Sequence, residues 1–154
     1  MRKAEDPKIA AYGLLDSTRD LIFKAIEMEL AQYQMSAPQV KVLDTLVRSD
    51  GELTLRQLSE STVKELNSVS ALVTRMVKKG LVKKIKKPDD GKIYIVITET
   101  GKDVFENTVT EKSIHLIFET LSDSEVIQLR TLLSKLHNRA RTLLGLDYKP
   151  PFLE

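Results

Sequence analysis

Asn67, Ser68, Ser70, Ala71 and Thr74 recur at a helical spacing, and all are small and, Ala71 apart, polar. Val69, Leu72, Val73 and Met76 fall on the opposite face of the same stretch, so one side is buried and the other presented. A helix face of this kind can enter a groove about 12 Å wide, the major groove of duplex DNA, and hydrogen-bond to base edges. Longer side chains there would hold the helix away. Arg75 and Lys78 close the stretch and can reach flanking phosphates. Downstream, Lys86, Lys87 and Lys92 flank the turn Pro88-Asp89-Asp90-Gly91, where they can straddle the neighbouring minor groove. Ser36, Gln39, Thr54 and Arg56, near the starts of two preceding helical segments, complete the set of candidate DNA-binding residues.

The charge distribution agrees with that chemistry. The chain carries only +2 overall, yet between Arg75 and Lys92 eight bases stand against two acids, a local +6 that leaves −4 elsewhere. Such asymmetry suits a protein that meets polyphosphate with one edge. A solvated lysine-rich hairpin is the plainer account of the same residues. Catalytic chemistry has no foothold: there is no phosphate-cradling glycine loop and no nucleophile–base spacing, and Asp89-Asp90 reads as a solvated pair in a turn. The absence of cysteine excludes disulfides, thiol redox sensing and cysteine-ligated metal. His115 and His137 are far apart in sequence, whereas a zinc site needs four converging donors. We therefore expect no catalytic residue, no metal and no cofactor.

The elements that must position these groups follow from periodicity and capping. Of the 154 residues, 42% are hydrophobic, enough to bury a core. No apolar run reaches the roughly 18 residues of a spanning helix. Met1 to Asp6 lacks the apolar centre of a signal peptide, so a cytoplasmic protein without a membrane partner is expected. Leu14, Leu15, Thr18, Leu21, Ile22, Ala25 and Ile26 predict a long amphipathic helix over residues 8–32. Ser36 with Gln39, Thr54 with Gln57 and Ser122 with Glu125 each have capping-box spacing and predict three helix starts. The helix after Ser36 should turn Val40, Leu43, Leu46 and Val47 inward and stop at Ser49-Asp50-Gly51, with Gly51 as left-handed cap. The helix after Thr54 should run to Ser61, and the Asn67 helix should end at Lys79-Gly80. Leu81–Ile85 and Ile93–Ile97 read as the strands of a hairpin. A further helix opens at Thr98 and runs to about Glu119, weak at Asn107-Thr108-Val109-Thr110. The last helix reaches about Leu144, followed by a non-helical tail from Gly145 to Pro151. The fold class is α+β, mostly α: a winged helix-turn-helix with N- and C-terminal dimerisation helices.

At this level the chain resembles the MarR (multiple antibiotic resistance regulator) family. The resemblance is carried by Ser36-Ala37-Pro38-Gln39-Val40-Lys41-Val42-Leu43, by Leu53-Thr54-Leu55-Arg56-Gln57-Leu58, by Val69 to Val82 and by Ile97-Thr98-Glu99-Thr100-Gly101. It implies a single chain over 1–154, a DNA-binding lobe over 35–100 and dimerisation helices over 8–32 and 101–145. It also implies a homodimer on double-stranded DNA and, in a cleft between the helices and the lobe, a small aromatic or anionic effector. Tyr33, Met35, Arg75, Met76 and His115 are the residues nearest that junction; aromatic and Met residues at such positions are more often core than ligand contacts. The family wing carries Asp-x-Arg, and here Asp90-Gly91-Lys92 stands in its place. Lysine lacks the flat, weakly hydrated fork of arginine, which favours phosphate over base contacts at the wing.

A homodimer follows independently from Ile114, Ile117, Phe118, Leu121, Val126, Leu129, Leu132, Leu133, Leu136 and Leu143, an apolar stripe too long for one small domain to cover. A two-fold dimer reads an inverted repeat whose half-sites lie about 34–36 Å apart or a multiple of that. The reading is thus a transcription regulator, a repressor, on a pseudo-palindromic operator. The alternative is a winged helix that binds protein and not DNA. Larger apolar or aromatic anchors on the 67–78 face would favour it, and that face has none.

Overall fold

A computed structural model describes residues 6–108 and 111–146. The expected tail beyond Leu146 and positions 109–110 of the weak stretch lie outside them. In chain order the elements are α1 (Pro7–Ala31), α2 (Ala37–Val47), β1 (Glu52–Thr54), α3 (Leu55–Thr62), α4 (Leu66–Lys78), β2 (Val82–Lys86), β3 (Ile93–Ile97), α5 (Glu99–Thr108), α6 (Lys112–Phe118) and α7 (Asp123–Leu144). The fold is mostly helical with one antiparallel sheet of order β1-β3-β2, the architecture of a winged helix-turn-helix with long flanking helices.

Local chemistry explains the boundaries. Ser36, Thr54 and Ser122 each accept the backbone N–H three residues on, and Gln39, Gln57 and Glu125 accept the cap N–H in return. Asp6 caps α1 through the Lys8 N–H at 2.9 Å, with Pro7 in the first turn. At the end of α4 the Gly80 N–H donates to Val77 O, the Leu81 N–H to Met76 O, and Gly80 adopts φ +73°. Thr98 then fastens α4 to α5: its hydroxyl donates to Gly80 O at 2.6 Å and accepts the Gly101 N–H at 2.9 Å.

Three expectations are corrected. Val47 is 45% exposed; the inward face of α2 is Val42, Leu43, Thr45 and Leu46. Arg48, in right-handed conformation, is the C-cap of that helix. Gly51 (φ +90°) lies beyond it and closes the turn through its N–H to Leu46 O. The segment after β3 is no single helix to Glu119: α5 ends at Thr108 and α6 starts afresh after Glu111, whose φ of 54° breaks the helical path.

The core lies in the lobe. Val42, Leu43, Leu46, Leu58, Val69, Val73, Met76 and Ile95 are fully buried there, and Leu30 is the buried residue of α1. No described residue of α6 or α7 is buried, and Leu14, Leu21, Ile127, Leu136 and Leu143 stand open. α1 meets α6, where the Glu29 carboxylate accepts the Lys112 and Ser113 N–H groups, but among the described residues much of the apolar surface of α1 and α7 is left open. Among the described residues no helix is long and apolar enough to cross a membrane.

Candidate nucleic-acid interface

Helix α4 is the centre of the candidate interface. Val69, Leu72, Val73 and Met76 plug it into the core, which turns the opposite face outward. Asn67, Ser68, Ala71, Thr74, Arg75 and Lys78 are all exposed on that face, and Ser70 is half-buried. Among the described residues nothing covers it. The Thr74 hydroxyl donates to Ser70 O at 2.9 Å and accepts from the Lys84 ammonium at 3.4 Å, so the hairpin is laid against the flank of the helix. Lys86 and Lys92 are exposed toward the hairpin tip.

The remaining candidates are placed differently. Gln39 is buried, its carbonyl accepting both the Ser36 N–H and the Lys79 ammonium. Ser36 and Thr54 are half-buried with their hydroxyls committed to capping. Arg56 is exposed on α3. Lys87 is turned inward upon the sheet: it donates to the Glu52 carboxylate at 2.8 Å and lies 4.1 Å from the centroid of the Tyr94 ring. The Tyr94 hydroxyl donates to Asp90 at 2.7 Å, and the other Asp90 oxygen accepts the Lys92 N–H at 2.9 Å. These bonds move the ionisations in the expected directions. The hydrogen bond to Glu52 raises Lys87, the one to Asp90 raises Tyr94, and the Lys92 N–H holds the Asp90 carboxyl below the usual carboxylate range. Sequence reading missed this cluster, because it depends on β1 lying beside β3, with Thr54 opposite Tyr94 and Glu52 opposite Val96. The signal available was a tyrosine four residues past the turn aspartate.

A cleft of about 670 Å³ opens between α1, α2, the turn after α3, and α5. Ile22, Phe23, Ile26 and Phe105 furnish apolar wall, while Arg19, Lys41 and Lys64 bring cations to it and Glu29, Asp44 and Glu111 bring acids. Burial, then the charges of Lys64 and Arg19, hold Lys41 below the usual lysine range. None of Tyr33, Met35, Met76 and His115 lines this cleft. Met35 and Met76 are in the core, Tyr33 is on the α1–α2 connection and His115 is exposed on α6. The wall reaches Thr62, Val63 and Lys64, the turn that leads into α4. Among the described residues no group of three His, Asp or Glu side chains is placed to hold a metal ion.

Comparison with known proteins gives the same assignment. The profile of the MarR family matches residues 33–93. The HTH-type transcriptional repressor IacR of Pseudomonas putida is 27% identical over 121 residues, 77% of this chain and 72% of that protein. The HTH-type transcriptional regulator YsmB of Bacillus subtilis is 27% identical over 115 residues, 73% of this chain and 78% of that protein. Among solved structures, the organohalide-sensing regulator RdhR with bound 2,4-dichlorophenol superposes with a TM-score of 0.82 at 26% identity, covering 95% of this chain and 88% of its own. A mutant of MarR from E. coli complexed with operator DNA shares the fold, with a TM-score of 0.75 at 22% identity over 86% of this chain and 99% of its own.

Proposed function

With a winged-helix lobe of the MarR family as the premise, we propose that this chain is a transcriptional repressor that binds a pseudo-palindromic operator as a homodimer and is released by a small organic anion. The observation that carries the reading is the uncovered face of α4: small polar side chains flanked by Arg75 and Lys78, with exposed Lys86 and Lys92 at the hairpin beside it. The base edges of a major groove match the small residues, and the cations match its phosphate rails. Two such faces on a symmetric pair would meet two half-sites.

The test is fluorescence anisotropy on duplex enriched from a random library by the protein itself, across a salt series. Each phosphate contact should add about −0.9 to the slope of log affinity against log salt. Arg75→Ala should weaken binding to every sequence and flatten the slope by about that amount. Ala71→Trp should abolish preference for the enriched duplex while leaving the thermal midpoint in place, because Ala71 is exposed. A flat slope for the wild type would refute the proposal.

The cleft supports the effector. Its volume of about 670 Å³ is within the roughly 300–1,000 Å³ of small-molecule sites. The apolar wall suits a ring and Lys41 and Lys64 suit a carboxylate or phenolate on it, with Glu29, Asp44 and Glu111 restricting where that group can sit. An occupant would press on Thr62 to Lys64, immediately ahead of α4. If that pressure shifts α4, ligand and duplex would favour different placements of the helix, which coupling requires.

A further inference from the structure

The wing contains cations of two kinds. Lys86 and Lys92 are exposed, with side chains free to meet a duplex. Lys87 is already engaged, by a carboxylate on one side and a tyrosine ring on the other. A phosphate approaching Lys87 would also approach Glu52, so the charge this lysine offers outward is largely cancelled at its own position.

The contacts form one continuous chain across the sheet and out to its tip. It starts at Glu52 on β1, passes to Lys87 just beyond β2, crosses to Tyr94 on β3, and ends on Asp90 and the Lys92 backbone in the turn. The strand register explains the meeting. Ile85 pairs with Tyr94 and Thr54 pairs with Tyr94 from the other side, so Glu52, Tyr94 and Lys87 share one face of the sheet. Within the turn, the Lys87 N–H donates to Lys92 O at 3.0 Å and the Gly91 N–H to Lys87 O at 2.9 Å, with Gly91 at φ +67°. Asp90 therefore ties the turn to the β3 side through the Lys92 N–H and the Tyr94 hydroxyl, while the Lys87 backbone closes it from the β2 side.

We propose that Lys87 and Tyr94 are positioning residues of the wing: with Glu52 and Asp90 they form a strut that fixes the tip before a duplex arrives, leaving Lys86 and Lys92 to make the contacts. The proposal rests on the reading of this chain as a DNA-binding protein. Exposed ion pairs add little to global stability, so the strut acts on the location of the tip and not on whether the fold forms. A tip already in place does not have to be ordered on binding, which preserves affinity without adding a contact.

The strut makes an unusual forecast for a lysine beside a proposed DNA surface. In the full-length protein, Lys87→Met and Tyr94→Phe should each weaken binding to the library-enriched duplex by roughly three- to tenfold, the range for ordering a side chain or two. The slope against log salt should stay at the wild-type value for both, whereas Lys92→Ala should flatten it by about 0.9. The double variant Lys87→Met/Tyr94→Phe should bind no worse than the weaker single variant, since one broken strut cannot be broken twice. Thermal midpoints should be unchanged. Loss of about 0.9 from the slope in Lys87→Met, or additive losses in the double variant, would show Lys87 to be a phosphate contact and overturn the proposal. Amide exchange in the free protein reads the strut without DNA: the Gly91 and Lys92 amides should exchange faster in Tyr94→Phe. Unchanged exchange overturns the strut whatever the duplex measurements give. Failure of the wild type to bind any duplex overturns instead the reading on which the proposal rests.

Discussion

A lysine that has lost water to burial and faces other cations is poorly placed as a cation. Lys41 is in that position, desolvated and facing the charges of Lys64 and Arg19. Lys41→Met should raise the thermal midpoint of the unliganded protein and abolish any shift caused by 2,4-dichlorophenol or benzoate, read by differential scanning fluorimetry. The pH dependence has a definite sign. A folded pKa below the unfolded one means that the unfolded chain keeps its proton longer. Stability from this group therefore rises with pH through the window below the unfolded value of about 10.4. The wild-type minus Lys41→Met difference should shrink across that window, and a difference that is flat there would remove Lys41 as its source. The position was legible in sequence only as part of a helix start. Its charge environment depends on Lys64 and Arg19, which two other segments bring to the same cleft.

At the scale of elements, the starts were easier to read than the ends. Three helix starts follow from a Ser or Thr followed three residues later by Gln or Glu, because both halves of a capping box are local. The end of α3 falls at Thr62, one residue past the expected Ser61, but the conformation that caps it was not legible. Its C-cap is Val63 at φ 52° and ψ 44°, a left-handed conformation that a β-branched residue adopts only under tertiary constraint. The restart at Glu111 (φ 54°) is of the same kind. The two kinds of junction should respond oppositely. Thr54→Ala removes the acceptor for the Gln57 N–H at 3.1 Å and should cost about 1 kcal/mol. Val63→Gly relieves backbone strain at an exposed position and should add up to about 1 kcal/mol. Urea midpoints at constant slope check both, and a destabilised Val63→Gly would mean that the side chain does more for the turn than its exposure suggests. Because Val63 also lines the cleft, the same substitution should weaken the coupling between ligand and duplex.

The whole molecule has one finished half and one unfinished half. The lobe buries its core, whereas α7 leaves Ile127, Leu132, Leu136, Leu143 and Leu144 more than half exposed. Covering one such leucine returns about 1.5–3 kcal/mol, and an open apolar surface of this extent marks an interface. A symmetric partner is the economical cover. Leu136→Glu should halve the mass seen by light scattering at micromolar concentration and weaken duplex binding, while a wild type that is already monomeric there would end the dimer proposal. The junction of α5 with the sheet is closed over a single small residue. A Cβ at Gly101 would collide with the carbonyl oxygen of Leu81 and come within 2.9 Å of Ile97 Cγ1, so α5 sits flush on the sheet backbone with no room to pivot. Phe105, one turn further along α5, lines the cleft. A ligand that displaced that ring would therefore move α5 and the sheet backbone together, the cavity geared to the hairpin by a tooth only a hydrogen atom wide.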